Sequence, residues 1–138
     1  MIILDTNVVS EPLKPSPSAK VIAWLDRQSS ETLYLSTISV AELLAGVAAL
    51  PQGKRRRELG HAVSNNVLPI FEGRILAFDR AASESFAHVT VGAKSAGNSI
   101  AFADCAIAAI AAANGFMLAT RNVRDFNGCG IKIVDPWE

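Results

Sequence analysis

Three acidic residues stand alone in long apolar segments of this 138-residue chain. Asp104 is the only charged residue in SIAFADCAIAAIAAANG (99–115), and Glu42 is the only one in LSTISVAELLAGVAAL (35–50). Asp5 is the only one in MIILDTNVVS (1–10). A buried, unpaired carboxylate is costly, so Asp104 must face solvent, cap local backbone, or bind a cation together with other acids.

A site that gathers these three acids needs positive charge to offset their repulsion, and a divalent cation supplies it. Mg²⁺ and Mn²⁺ prefer carboxylate and water oxygens and leave coordination positions for substrate phosphates. Zinc is not indicated, because His61 and His88 stand alone and Cys105 and Cys129 lack a metal-binding spacing. The pattern therefore favours phosphoryl chemistry with a metal-activated water.

The apolar pattern predicts the elements that must position these acids. Short apolar runs typical of buried strands are MIIL (1–4), LYLS (33–36), ILAF (75–78), FMLA (116–119) and IKIV (131–134). Helical patterns lie between them, at 18–28, 39–50, 53–67, 79–93 and 100–114. Ser39 is the expected N-cap of the second helix, and Asn114-Gly115 is the expected end of the last.

This alternation of strands and helices predicts an α/β fold with a parallel sheet and helices on both of its faces. Ligands of such sheets bind beyond the carboxyl ends of the strands. That rule places Asp5 and the segment 119–122 at the candidate site.

Length, composition and charge set further limits. At 138 residues, half of them hydrophobic, the chain should fold as one domain. Thirteen basic residues balance thirteen acidic ones, which argues against a surface covered by positive charge. We expect no signal peptide, because MIILDTNVV carries no basic leader, and no membrane span, because Asp104 interrupts the alanine-rich segment. The expected location is cytoplasmic.

Four ordered segments carry a family resemblance: MIILDTNVVSE (1–11), STISVAELLAGV (36–47), FADCAIAAIAAANGFMLATRNVRDF (102–126) and GIKIVDPW (130–137). Together they resemble a PIN domain of the VapC/FitB type. The resemblance implies a single PIN domain over residues 1–138, built as an α/β/α sandwich around a mostly parallel sheet of about five short strands.

The resemblance also implies a function. PIN domains of this type are Mg²⁺- or Mn²⁺-dependent endoribonucleases and usually act as the toxin of a bacterial toxin–antitoxin pair. The implied partners are RNA as substrate, a small DNA-binding antitoxin, and a second copy of the chain in a homodimer.

Residue by residue, the family's metal-site positions correspond to Asp5, Glu42 and Asp104, with the fourth acidic position at or near Asn122. The polar positions that orient these carboxylates or their waters correspond to Thr6, Asn7, Ser39 and Thr120.

The fourth acidic position is the point where this sequence departs from the all-acid pattern. Asn122 offers a metal or its water an oxygen but no charge, whereas Asp125 offers charge one turn further on. We expect Asn122 to act as an outer ligand and Asp125 as a supporting residue. Arg121 and Arg124 flank Asn122 and are the expected RNA contacts.

Three further expectations concern partners and competing functions. An antitoxin helix is expected to lie on the early helices around residues 21–25 and to extend a basic side chain to the carboxylates. The main competing function is a catalytically silent PIN-like module that binds RNA or protein. A phosphatase is disfavoured, because its nucleophilic Asp usually has a second acid two residues on, where this chain has Asn7.

Overall fold

A parallel sheet of five short strands forms the centre of the molecule. The computed structural model describes residues 1–138. Its strands are β1 (Ile2–Leu4), β2 (Leu33–Ser36), β3 (Ile75–Leu76), β4 (Met117–Ala119) and β5 (Ile133–Val134). Their order is β3-β2-β1-β4-β5, and every neighbouring pair is parallel. The predicted α/β class and all five predicted strands are confirmed.

Six α-helices connect and cover the strands. They are α1 (Thr6–Ser10), α2 (Ala19–Arg27), α3 (Thr37–Ala48), α4 (Lys54–His61), α5 (Arg80–Ser95) and α6 (Phe102–Asn114). A π-helical turn (Ala62–Val67) extends α4, and a 3₁₀ turn (Val123–Phe126) lies between β4 and β5. Sequence patterns set no bounds for the helix before the turn at 14–18, which is α1, because five residues are too few to show a helical period.

The start of α3 corrects one prediction. Ser36, not Ser39, is the N-cap: its side chain accepts a hydrogen bond from the Ser39 backbone N–H at 3.1 Å. Ser39 is therefore the third residue of α3, and its hydroxyl does not cap the helix. The predicted end of α6 is confirmed, since Gly115 adopts a left-handed conformation with φ of 67°.

The hydrophobic core lies in two layers, one on each face of the sheet. Alternate strand residues enter opposite layers, Ile3 with α5 and α6, and Leu4 with α1 and α3. Residues 105–111 of α6 are all buried. Their side chains are mostly alanine, so α6 can lie close to the sheet and to α5.

The helices on these two faces begin near the carboxyl ends of the strands. Asp5 directly follows β1, α3 begins directly after β2, and Thr120 directly follows β4. These three points lie side by side, because β1 is paired with both β2 and β4. No helix of the chain combines the length and the apolar character needed to cross a bilayer.

Candidate active site

Asp5 occupies the centre of the site and is held by hydrogen bonds at both carboxylate oxygens. It is only 4% exposed. Its Oδ1 accepts from the Thr6 backbone N–H at 2.8 Å, and its Oδ2 accepts from Thr120 Oγ1 at 2.7 Å. Thr120 Oγ1 in turn accepts from the Asn122 backbone N–H at 3.1 Å. The Asp5 side chain is therefore fixed by residues at the ends of β1 and β4.

Burial raises the pKa of Asp5 above its ordinary value of 3.8. The hydrogen bonds from Thr120 and Thr6 oppose this rise, and the negative charges of Glu42 and Asp125 add to it.

Glu42 is linked to Asp5 through Thr6. Thr6 Oγ1 donates to Glu42 Oε1 at 2.7 Å and also lies 2.9 Å from Ser39 Oγ. A threonine hydroxyl has one proton, and the charged carboxylate is the stronger acceptor. The hydroxyl of Ser39, which is fully buried, must then donate to Thr6 Oγ1. This chain of hydrogen bonds orients Glu42 from α1 and from the interior of α3.

Asp104 lies in the first turn of α6, half-buried, where the helix dipole favours a negative charge. Burial, followed by the charges of Asp5, Asp125 and Glu42, raises its pKa to about 6. No hydrogen bond offsets these effects. Asp104 is therefore neither fully exposed nor isolated from the other acids.

Asp125 is the fourth acid of the cluster in space. It lies on the 3₁₀ turn after β4, and its charge raises the pKa of both Asp5 and Asp104. Asn122 immediately precedes this turn and contacts the site through its backbone N–H to Thr120. The outer-ligand role of Asn122 and the supporting role of Asp125 both stay predictions.

The donor types of this acid cluster (Asp5, Glu42, Asp104 and Asp125) fit a hard divalent cation. All are carboxylates, and their mutual repulsion would be relieved by positive charge. Asn7, in α1 two residues after Asp5, has an Oδ1 that is shielded from solvent and accepts no hydrogen bond. No three acidic, histidine or cysteine side chains stand close enough to hold a metal ion as a group. The fit therefore rests on donor chemistry and charge, and the predicted metal ligands stay predictions.

Comparison with known proteins decides the family. The PIN domain family matches residues 2–128. The chain belongs to the PIN-domain family. It is 51% identical over 138 residues to the VapC ribonuclease Y4jK of Sinorhizobium fredii, with 100% of this chain and 99% of the relative covered. It is 44% identical over 137 residues to toxin FitB of Neisseria gonorrhoeae, with 99% of each chain covered.

Solved structures agree with this assignment. The crystal structure of FitAcB from Neisseria gonorrhoeae superposes with a TM-score of 0.95 at 44% identity, covering 100% of this chain and 99% of that one. The structure of FitAB bound to the IR36 DNA fragment gives a TM-score of 0.96 at 43% identity, covering 100% and 96%. The predicted resemblance to PIN domains of the VapC/FitB type is confirmed.

The two arginines predicted to contact RNA have different surroundings in this PIN domain. The Arg121 guanidinium lies over the ring of Trp137, 5.2 Å from its centroid. Arg124 is exposed on the same turn as Asp125. Both residues line a cleft of about 630 Å³. Their contact with RNA stays a prediction, and Arg121 is the more constrained of the two.

Sequence reasoning missed Glu11, a buried acid near the start of the loop 14–18. Its carboxylate accepts from the Ser18 backbone N–H at 3.0 Å and pairs with Lys14 Nζ at 2.9 Å. The hydrogen bond from Lys14, more than any other contact, lowers the pKa of Glu11. This acid fixes the loop, and its burial could not be read from a surface-like sequence, EPLKPSPS.

An apolar groove of about 710 Å³ leads away from Glu42 and Thr6. Its apolar lining comes from a 3₁₀ turn after α1 (Glu11–Leu13), from α3 and the residues just after it, and from α4 with its extension: Leu13, Leu43, Val47, Leu50, Leu59 and Val63. The expected partner surface at residues 21–25 stays a prediction, and several of its apolar side chains face the core. Val21 is fully buried, and Trp24 and Leu25 pack against the core, because α2 uses its apolar face to cover the sheet.

Proposed function

We propose that this PIN domain, formed by residues 1–138, is a Mg²⁺- or Mn²⁺-dependent endoribonuclease that acts in the cytoplasm as the toxin of a bacterial toxin–antitoxin pair. The observation that carries this proposal is the convergence of acids near the carboxyl ends of β1 and β4, where Asp5 is fixed by two hydrogen bonds and burial with neighbouring negative charge raises the pKa of Asp5 and Asp104. The names of the relatives, a VapC ribonuclease and a toxin, support the same activity.

In this proposal Asp5, Glu42, Asp104 and Asp125 hold the metal, and Asn122 contacts its water. A divalent ion bound there would neutralise charge on the scissile phosphate and lower the pKa of a bound water. The hydrogen bonds of Asp5 keep its carboxylate in one orientation, so little reorganisation is needed on binding.

The other members of the cluster differ in mobility. Thr6 and Ser39 hold Glu42 in place. Asp104 lacks such an anchor, so its carboxylate can adjust its orientation when the metal binds.

RNA would approach along the cleft lined by Arg121 and Arg124. Arg124 stands free next to Asp125 and can pair with a phosphate adjacent to the one that is cleaved. Arg121, stacked on Trp137, offers a second, fixed positive charge in the same cleft. Contacts of this kind bind the backbone and carry no base preference.

The antitoxin would dock in the apolar groove beside Glu42 rather than on α2. Apolar grooves of this kind take amphipathic helices, with apolar side chains at helical spacing. A basic side chain at the end of such a helix would reach Glu42 and compete for the carboxylates. Two similar solved structures are those of FitAcB and of FitAB bound to a DNA fragment. The presence of DNA in the second structure supports a partner that binds DNA.

A homodimer is supported by one face of α3. Ala41, Leu44, Ala45 and Ala48 lie on it at helical spacing, and all four are exposed. Leu44 alone is 45% exposed. Small residues allow two such helices to approach closely, and pairing would remove this apolar surface from water.

The test measures cleavage of structured RNA by purified protein with Mn²⁺, and growth of bacteria that express the protein. It compares the wild type with Asp104→Asn and Asp26→Asn. Asp26 is an exposed acid on α2, so its variant controls for loss of one charge. We expect cleavage and growth arrest by the wild type and by Asp26→Asn, and neither by Asp104→Asn. Equal cleavage by all three proteins would refute the metallonuclease, whereas RNA binding without cleavage by the wild type would favour the silent module.

A further inference from the structure

The turn that carries Asp125 has little stability of its own. It is a 3₁₀ turn of four residues, Val123–Phe126, and Asp125 is exposed on it. Such short turns have poor hydrogen-bond geometry and depend on the structure around them. A carboxylate that must remain beside Asp5 and Asp104 therefore needs an external anchor for its backbone.

Asn98 provides one anchor. Its Nδ2 donates to the backbone carbonyls of Asp125, at 2.8 Å, and Asn127, at 3.1 Å. Both protons of one amide group are thus used to hold two carbonyls of the same short segment. No other side chain donates to the backbone of residues 123–127.

The position of Asn98 is itself fixed by the end of α5. Gly97 adopts a left-handed conformation with φ of 75°, and the Asn98 backbone N–H donates to the carbonyl of Ala93 at 2.9 Å. This is the pattern of a Schellman cap, in which the residue after the glycine is tied back to the last turn of the helix. The amide of Asn98 is therefore presented from a rigid helix end.

Gly128 provides a second, independent anchor on α5. A Cβ at this position would lie 2.6 Å from the Ala96 Cβ and 2.8 Å from the Gly92 carbonyl oxygen. The backbone after the turn therefore lies directly against the backbone of α5. Phe126, which is 3% exposed, packs in the same core layer as α5 and α6.

We propose that Asn98 is a positioning residue for the active site: its amide holds the Asp125 backbone so that the carboxylate stays beside Asp5 and Asp104. The inference rests on the proposed metal-dependent function and adds to it a residue outside the acid cluster. Asn98 does not touch the reacting groups and acts only through Asp125. Its loss should weaken metal binding without removing any ligand.

The test measures Mn²⁺ binding to the purified protein by isothermal titration calorimetry, with electron paramagnetic resonance as a second readout. Asn98→Ala is expected to weaken Mn²⁺ binding about tenfold, as is typical when a residue that supports a ligand is removed. Asp125→Asn should weaken it at least as much. The double variant Asn98→Ala/Asp125→Asn should bind no more weakly than Asp125→Asn alone, because the two residues act as one unit.

Asn114→Ala is the matched control. Its side chain also donates an amide hydrogen bond to a backbone carbonyl, that of Ile110 at 2.8 Å, but at the far end of α6. This variant should keep wild-type Mn²⁺ affinity. If Asn98→Ala fails to fold, Asn98→Ser, which keeps one hydroxyl donor, replaces it and should bind Mn²⁺ with an affinity between those of the wild type and Asp125→Asn.

The outcomes separate this inference from the function on which it rests. Wild-type affinity in a folded Asn98 variant, or additive losses in the double variant, would overturn the positioning role and leave the nuclease in place. A wild-type protein that binds no Mn²⁺ would overturn the metal centre and the inference with it.

Discussion

At the scale of single residues, burial and neighbouring charge distinguish the acids of the cluster. Asp5 keeps a raised pKa even though two hydrogen bonds stabilise its charged form. Asp104 has no such bond, and its pKa rises to about 6. Groups perturbed in this way are enriched at functional sites, where the loss of stability is tolerated because the activity requires it.

The first prediction concerns the stability of Asp104→Asn at different pH. Because the folded pKa lies above the ordinary 3.8, ionisation of Asp104 lowers stability as pH rises, and the penalty is complete above about pH 6. A direct conversion of the rise in the pKa of Asp104 gives a penalty of about 3 kcal/mol. Solvent screens the partly exposed side chain, so we expect about 1 kcal/mol. Asp104→Asn should therefore be about 1 kcal/mol more stable than the wild type at about pH 7.5 and gain less at about pH 4.5.

Urea denaturation in EDTA at the two pH values measures this difference, with Asp26→Asn as the control for removing one surface charge. A gain in stability that does not change with pH would mean that ionisation of Asp104 does not destabilise the folded protein.

The second prediction compares Asp125 with Asn122 in catalysis. Since Asp125 contributes charge to the cluster and Asn122 contributes only a neutral amide, Asp125→Asn should raise the Mn²⁺ concentration needed for half-maximal RNA cleavage about tenfold. Asn122→Ala should raise it less, and Asn122→Asp should lower it by adding charge. Metal titrations of cleavage decide the matter: an unchanged requirement in Asp125→Asn beside a large increase in Asn122→Ala would return the fourth position to Asn122.

At the scale of elements, the end of α5 and the turn after β4 behave as one unit. Gly128 has a positive φ of 84° and also packs against α5, whereas Gly115, with φ of 67°, ends α6 with nothing within 4 Å of its missing Cβ. Both glycines thus have a positive φ, but only Gly128 is packed against another element.

The third prediction uses this pair. Gly115→Ala should cost about 1 kcal/mol, the strain of a left-handed alanine. Gly128→Ala should cost about 3 kcal/mol, because its Cβ would also overlap the Ala96 side chain and the Gly92 carbonyl. Urea unfolding of both variants tests the contrast. Equal losses would indicate that the loop moves away from α5 without penalty.

At the scale of the whole molecule, the sheet gathers residues that are distant in sequence. The Asp5–Thr120 hydrogen bond spans 115 positions, and the Thr6–Glu42 bond spans 36. These contacts exist only when β1 lies between β2 and β4. Assembly of the site and formation of the sheet are therefore the same event.

The fourth prediction follows from that coupling. If the folded cluster binds Mn²⁺ and the unfolded chain does not, the ion stabilises the fold by about 2.7 kcal/mol at a concentration about 100 times its Kd. Differential scanning fluorimetry should show a higher Tm with Mn²⁺ for the wild type and little change for Glu42→Gln/Asp104→Asn. An equal rise in that double variant would place the bound ions elsewhere.

Much of this protein is encoded in local sequence patterns. Apolar runs located the five strands, helical spacing located α2 to α6, and the rule of carboxyl strand ends located Asp5. The solitary acids were visible because charge is rare in buried segments. The family followed from motifs spread along the whole chain, which relatives over 138 residues confirm.

The tertiary structure alone decided which side chains meet. It brought Asp125 into electrostatic contact with the other acids, left the Ser39 hydroxyl free to bond with Thr6, and turned Val21 of α2 into the core. It also joined Asn98 to the turn of Asp125, 27 positions away. The physical reason is range: strand and helix periods depend on neighbours a few residues apart, whereas repulsion, hydrogen bonding and burial depend on distances that exist only after the chain has folded.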